Sequence, residues 1–151
     1  MAEQSPGAVY EAYFMRTPLQ LLSGMGMRRL VAFRVDEKGV LLGGAPARYA
    51  SQTAFVPWAH ITSVVVWHLR TAGPATPYIG VARTPGAPPL PGANSRLTPE
   101  EAAELAPHVE YDLFLASRPI TSWRFDPRRL QAAVDAFHPA TPVLAYTQRA
   151  G

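Results

Sequence analysis

The residues able to do chemistry in this chain are few, and their spacing rules out more than it suggests. Four histidines are present, His60, His68, His108 and His138, and no two stand four apart or bracket a glutamate in the His-Glu-x-x-His pattern that places zinc ligands on one helical face. They read instead as a turn residue, a strand-surface residue, a loop residue and a helix C-cap. No serine lies in a Gly-x-Ser-x-Gly context. Gly24-Met25-Gly26 and Gly43-Gly44 lack the lysine and the strand-to-helix setting of a phosphate loop. Glu100, Glu101 and Glu104 fall on one short polar segment, a solvated face rather than an acid–base pair. With no cysteine, the chain has no disulfide, thiolate ligand or thiol nucleophile. No catalytic, metal or cofactor site is expected. One basic group has a local physical rationale: Arg118, Arg124, Arg128 and Arg129, gathered around the start of a C-terminal helix. Guanidinium groups bind carboxylate and phosphate in a fork, and a helix N-terminus favours anions. The plain alternative is that Arg129 pairs with Asp126 or Asp135.

These arginines must be positioned by the last third of the chain. Asp126-Pro127 supplies an N-cap and a first-turn proline. Leu130, Ala133, Val134 and Phe137 then recur at helical spacing, and Pro139 stops the helix. Upstream, the periodicity is that of strands. Val31, Phe33 and Val35 alternate with Leu30, Ala32 and Arg34, and Asp36-Glu37-Lys38-Gly39 is a tight hairpin turn leading to a second strand at 40–43. Further strands are expected at 53–56, 61–69, 78–82, 109–116 and 120–125, with a short additional one possible at 141–146. In the segment 61–69, Ile61, Val65, Trp67 and Leu69 share one face and Val64 and Val66 the other, so both faces should be covered. Pro57-Trp58 should redirect the chain. Residues 84–108 form a long proline-rich loop containing a short helix from Thr98 to Ala106. Trp58, Trp67 and Trp123 are expected in the core or at its rim. The segment 9–16 fits neither a helical nor a strand template, and Thr17-Pro18 opens a possible helical turn ending at Gly24.

The chain has 151 residues, 48% hydrophobic and 17% charged, which suits one packed domain. We divide it into a partly ordered N-terminal extension (1–27), a domain (28–145) and a tail (146–151). The net charge is +3, and every basic residue but Lys38 among the fourteen is arginine. The arginines are scattered in runs of no more than two, so charge alone does not define a nucleic-acid interface. No signal-peptide pattern or membrane-length apolar run is present, and a cytoplasmic location is expected.

Gly-Val-Leu-Leu-Gly (39–43), Val-Pro-Trp-Ala-His-Ile-Thr-Ser-Val-Val-Val-Trp (56–67), Tyr-Ile-Gly-Val (78–81) and the stretch 118–139 resemble bacterial pleckstrin-homology-like domain proteins of the actinobacterial type. The likeness spans about residues 28–145. It implies a mainly β (α+β) fold, a seven-stranded bent antiparallel barrel capped by the C-terminal amphipathic helix, and a non-enzymatic binding or scaffold role. The partner would be a protein or a second copy of the chain. The phosphoinositide site of that superfamily is disfavoured here, because Arg34 and Lys38 flank a turn that also carries Asp36 and Glu37. Two alternatives stand beside protein binding: anion or nucleic-acid binding through the arginines, and an enzymatic site under the 84–108 loop.

Overall fold

The structure, a computed structural model, describes residues 8–15, 29–70 and 73–146. It is a mixed α+β fold in which two four-stranded sheets and a C-terminal helix contribute to one shared core. The first sheet runs in chain order through β1 (Tyr10–Tyr13), β2 (Val31–Val35), β3 (Gly39–Leu42) and β4 (Ala54–Pro57), all antiparallel. The second has the order β7-β6-β5-β8, with β5 (Ile61–Leu69), β6 (Thr76–Arg83), β7 (Ser117–Pro119) and β8 (Val143–Tyr146). Four helices accompany them among the described residues: α1 (Tyr49–Gln52), α2 (Pro99–Leu105), α3 (Tyr111–Leu115) and α4 (Pro127–Phe137).

Local chemistry accounts for the turns. At the β2–β3 hairpin the Asp36 carboxylate accepts from the N–H groups of Lys38 and Gly39, at 2.8 and 3.2 Å. Gly39 has φ 153°, and a Cβ there would lie 2.1 Å from the Val56 carbonyl oxygen, so the position requires glycine. Pro57 ends the first sheet, and a 3₁₀ turn at Trp58–His60 carries the chain into the second. Trp58 secures that corner: its indole N–H donates to the Asp36 carbonyl at 2.9 Å, and its ring stacks on His138 with centroids 5.0 Å apart.

The segment β5 feeds two cores because successive side chains leave a strand on opposite faces. Val64 joins Phe33, Val35, Val40, Leu42 and Val56 of the first sheet together with Leu130, Ala133 and Val134 of α4. Val65 and Trp67 turn the other way, against Ala102 of α2 and Leu113 and Phe114 of α3. Both faces are covered as the sequence pattern requires. Ile61 is the exception: a register shift between Ile61 and Ser63 moves it to the α4 side.

Several expectations are corrected. The described residues form two separate four-stranded sheets and no closed seven-stranded barrel. They are not wholly antiparallel either, since β8 pairs with β5 in parallel. The segment 109–116 is not a strand but contains α3. The apparent alternation there passes over Phe114, which is buried beside Leu113 in the same core cluster as Val109. Arg83 pins this helix by a forked pair with Asp112 at 2.6 and 3.3 Å. The last strand before α4 is Ser117–Pro119, upstream of the expected 120–125; Pro119 cannot donate to a ladder, and Ser122 lies in the left-handed region at φ 61°. Residues 10–13, assigned to the extension, pair with β2. The helical turn expected at 17–24 lies outside the described residues, as do positions 147–151 of the tail. The short helix in the 84–108 loop is present as α2, with Thr98 and Glu101 forming a reciprocal capping box.

Candidate functional site: a groove between the first strand and the terminal helix

The start of α4 is built by Asp126. Its side chain accepts from the N–H groups of Arg128 and Arg129, both at 3.1 Å, and its own N–H donates to the Tyr10 hydroxyl at 2.9 Å. The second bond ties the helix to β1, the outer strand of the first sheet. Between them lies an open groove of about 680 Å³, lined on one side by Tyr10, Glu11, Tyr13 and Met15 and on the other by Arg124 and Arg129. Met15 is 62% exposed, an unusual exposure for a large apolar side chain at a groove rim.

The electrostatics of the groove follow from which charges are already engaged. Glu11 ion-pairs with Arg34 at 3.6 Å and accepts from the Tyr13 hydroxyl. Asp126 is occupied by the two helical N–H groups. Arg124 and Arg129 have no carboxylate partner among the described residues. The Arg129 guanidinium lies 5.6 Å from the centroid of the Tyr10 ring, and Arg29 lies 5.7 Å from that of Tyr13, so cations sit on both tyrosine faces of β1. Burial, more than any neighbouring charge, pushes the Tyr10 hydroxyl above its ordinary value, so it is neutral at physiological pH while it accepts the Asp126 N–H. The groove therefore offers two guanidinium groups without carboxylate partners among the described residues, aromatic faces and an apolar rim.

The four arginines singled out from sequence do not form one cluster. Arg124 and Arg129 meet in the groove. Arg128 is exposed on the same helical turn but outside the lining. Arg118 is not a surface residue at all: it is 6% exposed, and its guanidinium donates to the carbonyls of Ser117, Gln52 and Pro91 at 2.7–2.9 Å and of Leu115 at 3.4 Å. The anion-binding capacity of the helix N-terminus is also smaller than the sequence suggests, because Asp126 already takes its first free N–H groups. The lining residues that sequence reasoning missed are Tyr10, Glu11, Tyr13 and Met15. Their signal was present as a cluster of aromatics in the segment 9–16, where Tyr10 and Ala12 point inward and Glu11 and Tyr13 outward.

The remaining candidates are structural. His138 is the C-cap of α4 and bonds through Nδ1 to the Thr141 hydroxyl at 2.6 Å; His108 contacts the His68 carbonyl through Nε2 at 3.0 Å. No group of three or more metal-binding side chains occurs among the described residues. No helix among them is long and apolar enough to cross a membrane. Comparison with known proteins adds no relative: no family model matches the chain, and no curated protein or solved structure matches it significantly.

Proposed function

We propose that this protein is a non-enzymatic binding module of the pleckstrin-homology-like type, acting in the cytoplasm, that holds an extended acidic segment of a protein partner in the groove between β1 and α4. The observation that carries this reading is the pair Arg124 and Arg129, without carboxylate partners among the described residues, facing the outer strand of a sheet. An extended peptide lying along β1 would present alternate side chains to the groove, and acidic ones would meet the two guanidinium groups in forked geometry. Met15, Tyr13 and Tyr10 supply the apolar contact that bulk charge attraction lacks. The pleckstrin-homology-like assignment rests on the sequence likeness; the burial of Leu130, Ala133 and Val134 of the amphipathic helix against the first sheet supports it. In that reading the two sheets are the halves of a bent barrel and α4 closes its open side. Ion pairs from Arg34 to Glu11 and Asp36, at 3.6 and 3.2 Å, argue against a phosphoinositide at the β2–β3 turn.

The test is fluorescence anisotropy with a labelled decapeptide alternating glutamate and valine, beside its lysine–valine counterpart and a single-stranded oligonucleotide of equal charge. The acidic peptide should bind, with an affinity that falls as salt rises, and R124E/R129E should weaken it at least tenfold. Equal binding by the double variant, or preference for the oligonucleotide, would overturn the assignment.

A further inference from the structure

Outside the groove lining, Arg118 raises a separate question: a residue only 6% exposed, it has no carboxylate partner among the described residues. Its two terminal nitrogens are held by four main-chain carbonyls, but its Nε–H is buried with no acceptor. Carbonyl dipoles offset part of the charge; they do not neutralise it.

Arg118 lines a second, more enclosed pocket of about 180 Å³, roofed by the 3₁₀ turn Ala93–Arg96 of the proline-rich loop. Asn94, Tyr78 and Thr121 border this space, and none of the three makes a side-chain hydrogen bond among the described residues. Phe14 and Pro119 give it apolar walls, and no acidic residue borders it. The lining thus combines one uncompensated cation, several unused donors and apolar surface. The volume is below the roughly 300–1,000 Å³ of ordinary ligand pockets and close to the ~150 Å³ that admits a benzene ring.

We infer that this pocket is a binding site for a small organic monocarboxylate, whose anionic end is received by Asn94, Tyr78 and Thr121 beside the Arg118 guanidinium and whose apolar end packs on Phe14 and Pro119. An inorganic anion would leave those walls uncovered. A neutral ligand of the same shape would leave the buried charge uncompensated. The lining holds no imidazole or carboxylate to move a proton, so the site is one of recognition.

The experiment uses the full chain and two probes, benzoate and isobutyrate, with benzamide and isobutyramide as neutral isosteres. The readout is the Arg118 Nε–H resonance in ¹⁵N-resolved spectra, assigned through its own side-chain carbons. At least one carboxylate should shift that resonance saturably, and its matching amide should bind at least tenfold more weakly. N94L leaves the guanidinium–carbonyl bonds in place and should weaken the carboxylate at least tenfold. A resonance that neither carboxylate moves saturably overturns the proposal, as do amides that bind equally well or an N94L variant that binds unchanged. Because neither Arg124 nor Arg129 lines this pocket, R124E/R129E should not alter carboxylate binding.

Discussion

At the scale of single residues, Arg118 shows how burial changes what a side chain is for. Desolvation draws its guanidinium down from the ordinary arginine value to about 10. The unfolded chain keeps that proton to higher pH than the folded chain, so above about pH 10 the unfolded state binds more protons and stability rises with pH. Replacing Arg118 with methionine strands carbonyls of Gln52, Pro91, Leu115 and Ser117 and should cost about 2–4 kcal/mol near neutral pH in urea unfolding. The stability advantage of the parent over R118M should then widen between pH 10 and 12. Tyrosine ionisation, common to both proteins, cancels in the difference. Asp126 is a simpler case: D126A removes the acceptor for two helical N–H groups and should cost ~1 kcal/mol by the same measurement, while leaving the Asp126 main-chain bond to Tyr10 intact.

At the scale of elements, α4 and α3 illustrate two degrees of legibility. The cap, first-turn proline and apolar stripe of α4 all agree, and the helix runs from Pro127 to Phe137 as they specify. Leu130 is fully buried against the first sheet, so L130A should lower stability by roughly 2–5 kcal/mol. α3 was misread because Val109, Tyr111, Leu113 and Leu115 alternate as a strand does, and five helical residues are too short a window for a 3.6 period to outweigh a period of two. Its fate depends on what lies beneath it, the ring of Trp67 with Phe114 at a centroid distance of 5.9 Å. F114A should cost about 3–5 kcal/mol, seen as a lower urea midpoint, yet leave acidic-peptide binding in the groove unchanged. β7 lies close to β6 only because Gly80 has no side chain: a Cβ would stand 2.1 Å from the Ser117 hydroxyl, which itself receives the Trp67 indole N–H at 2.9 Å.

At the scale of the whole molecule, the two cores are not independent. Val64 and Val65 are adjacent in β5 and belong to different cores, so neither can lose its packing without disturbing the strand that serves the other. Unfolding should therefore follow one transition. Tryptophan fluorescence, with Trp123 in one core and Trp67 in the other, should give the same urea midpoint as far-ultraviolet circular dichroism. Two separated midpoints would mean that the α2–α3 layer melts on its own.

Periodicity, caps and turn chemistry are properties of neighbouring residues, and these were readable directly: the β2–β3 hairpin, the doubly covered β5, the redirecting Trp58, the capping box of α2 and the whole of α4. Properties that depend on distant parts of the chain were not. Pairing of β8 parallel to β5, recruitment of β1 to the sheet edge, burial of Arg118 and the meeting of Arg124 and Arg129 with Tyr10 each join segments far apart in sequence. An arginine carries the same local signal whether it ends in solvent or in a cage of carbonyls, because the acceptors that receive it are supplied by other loops.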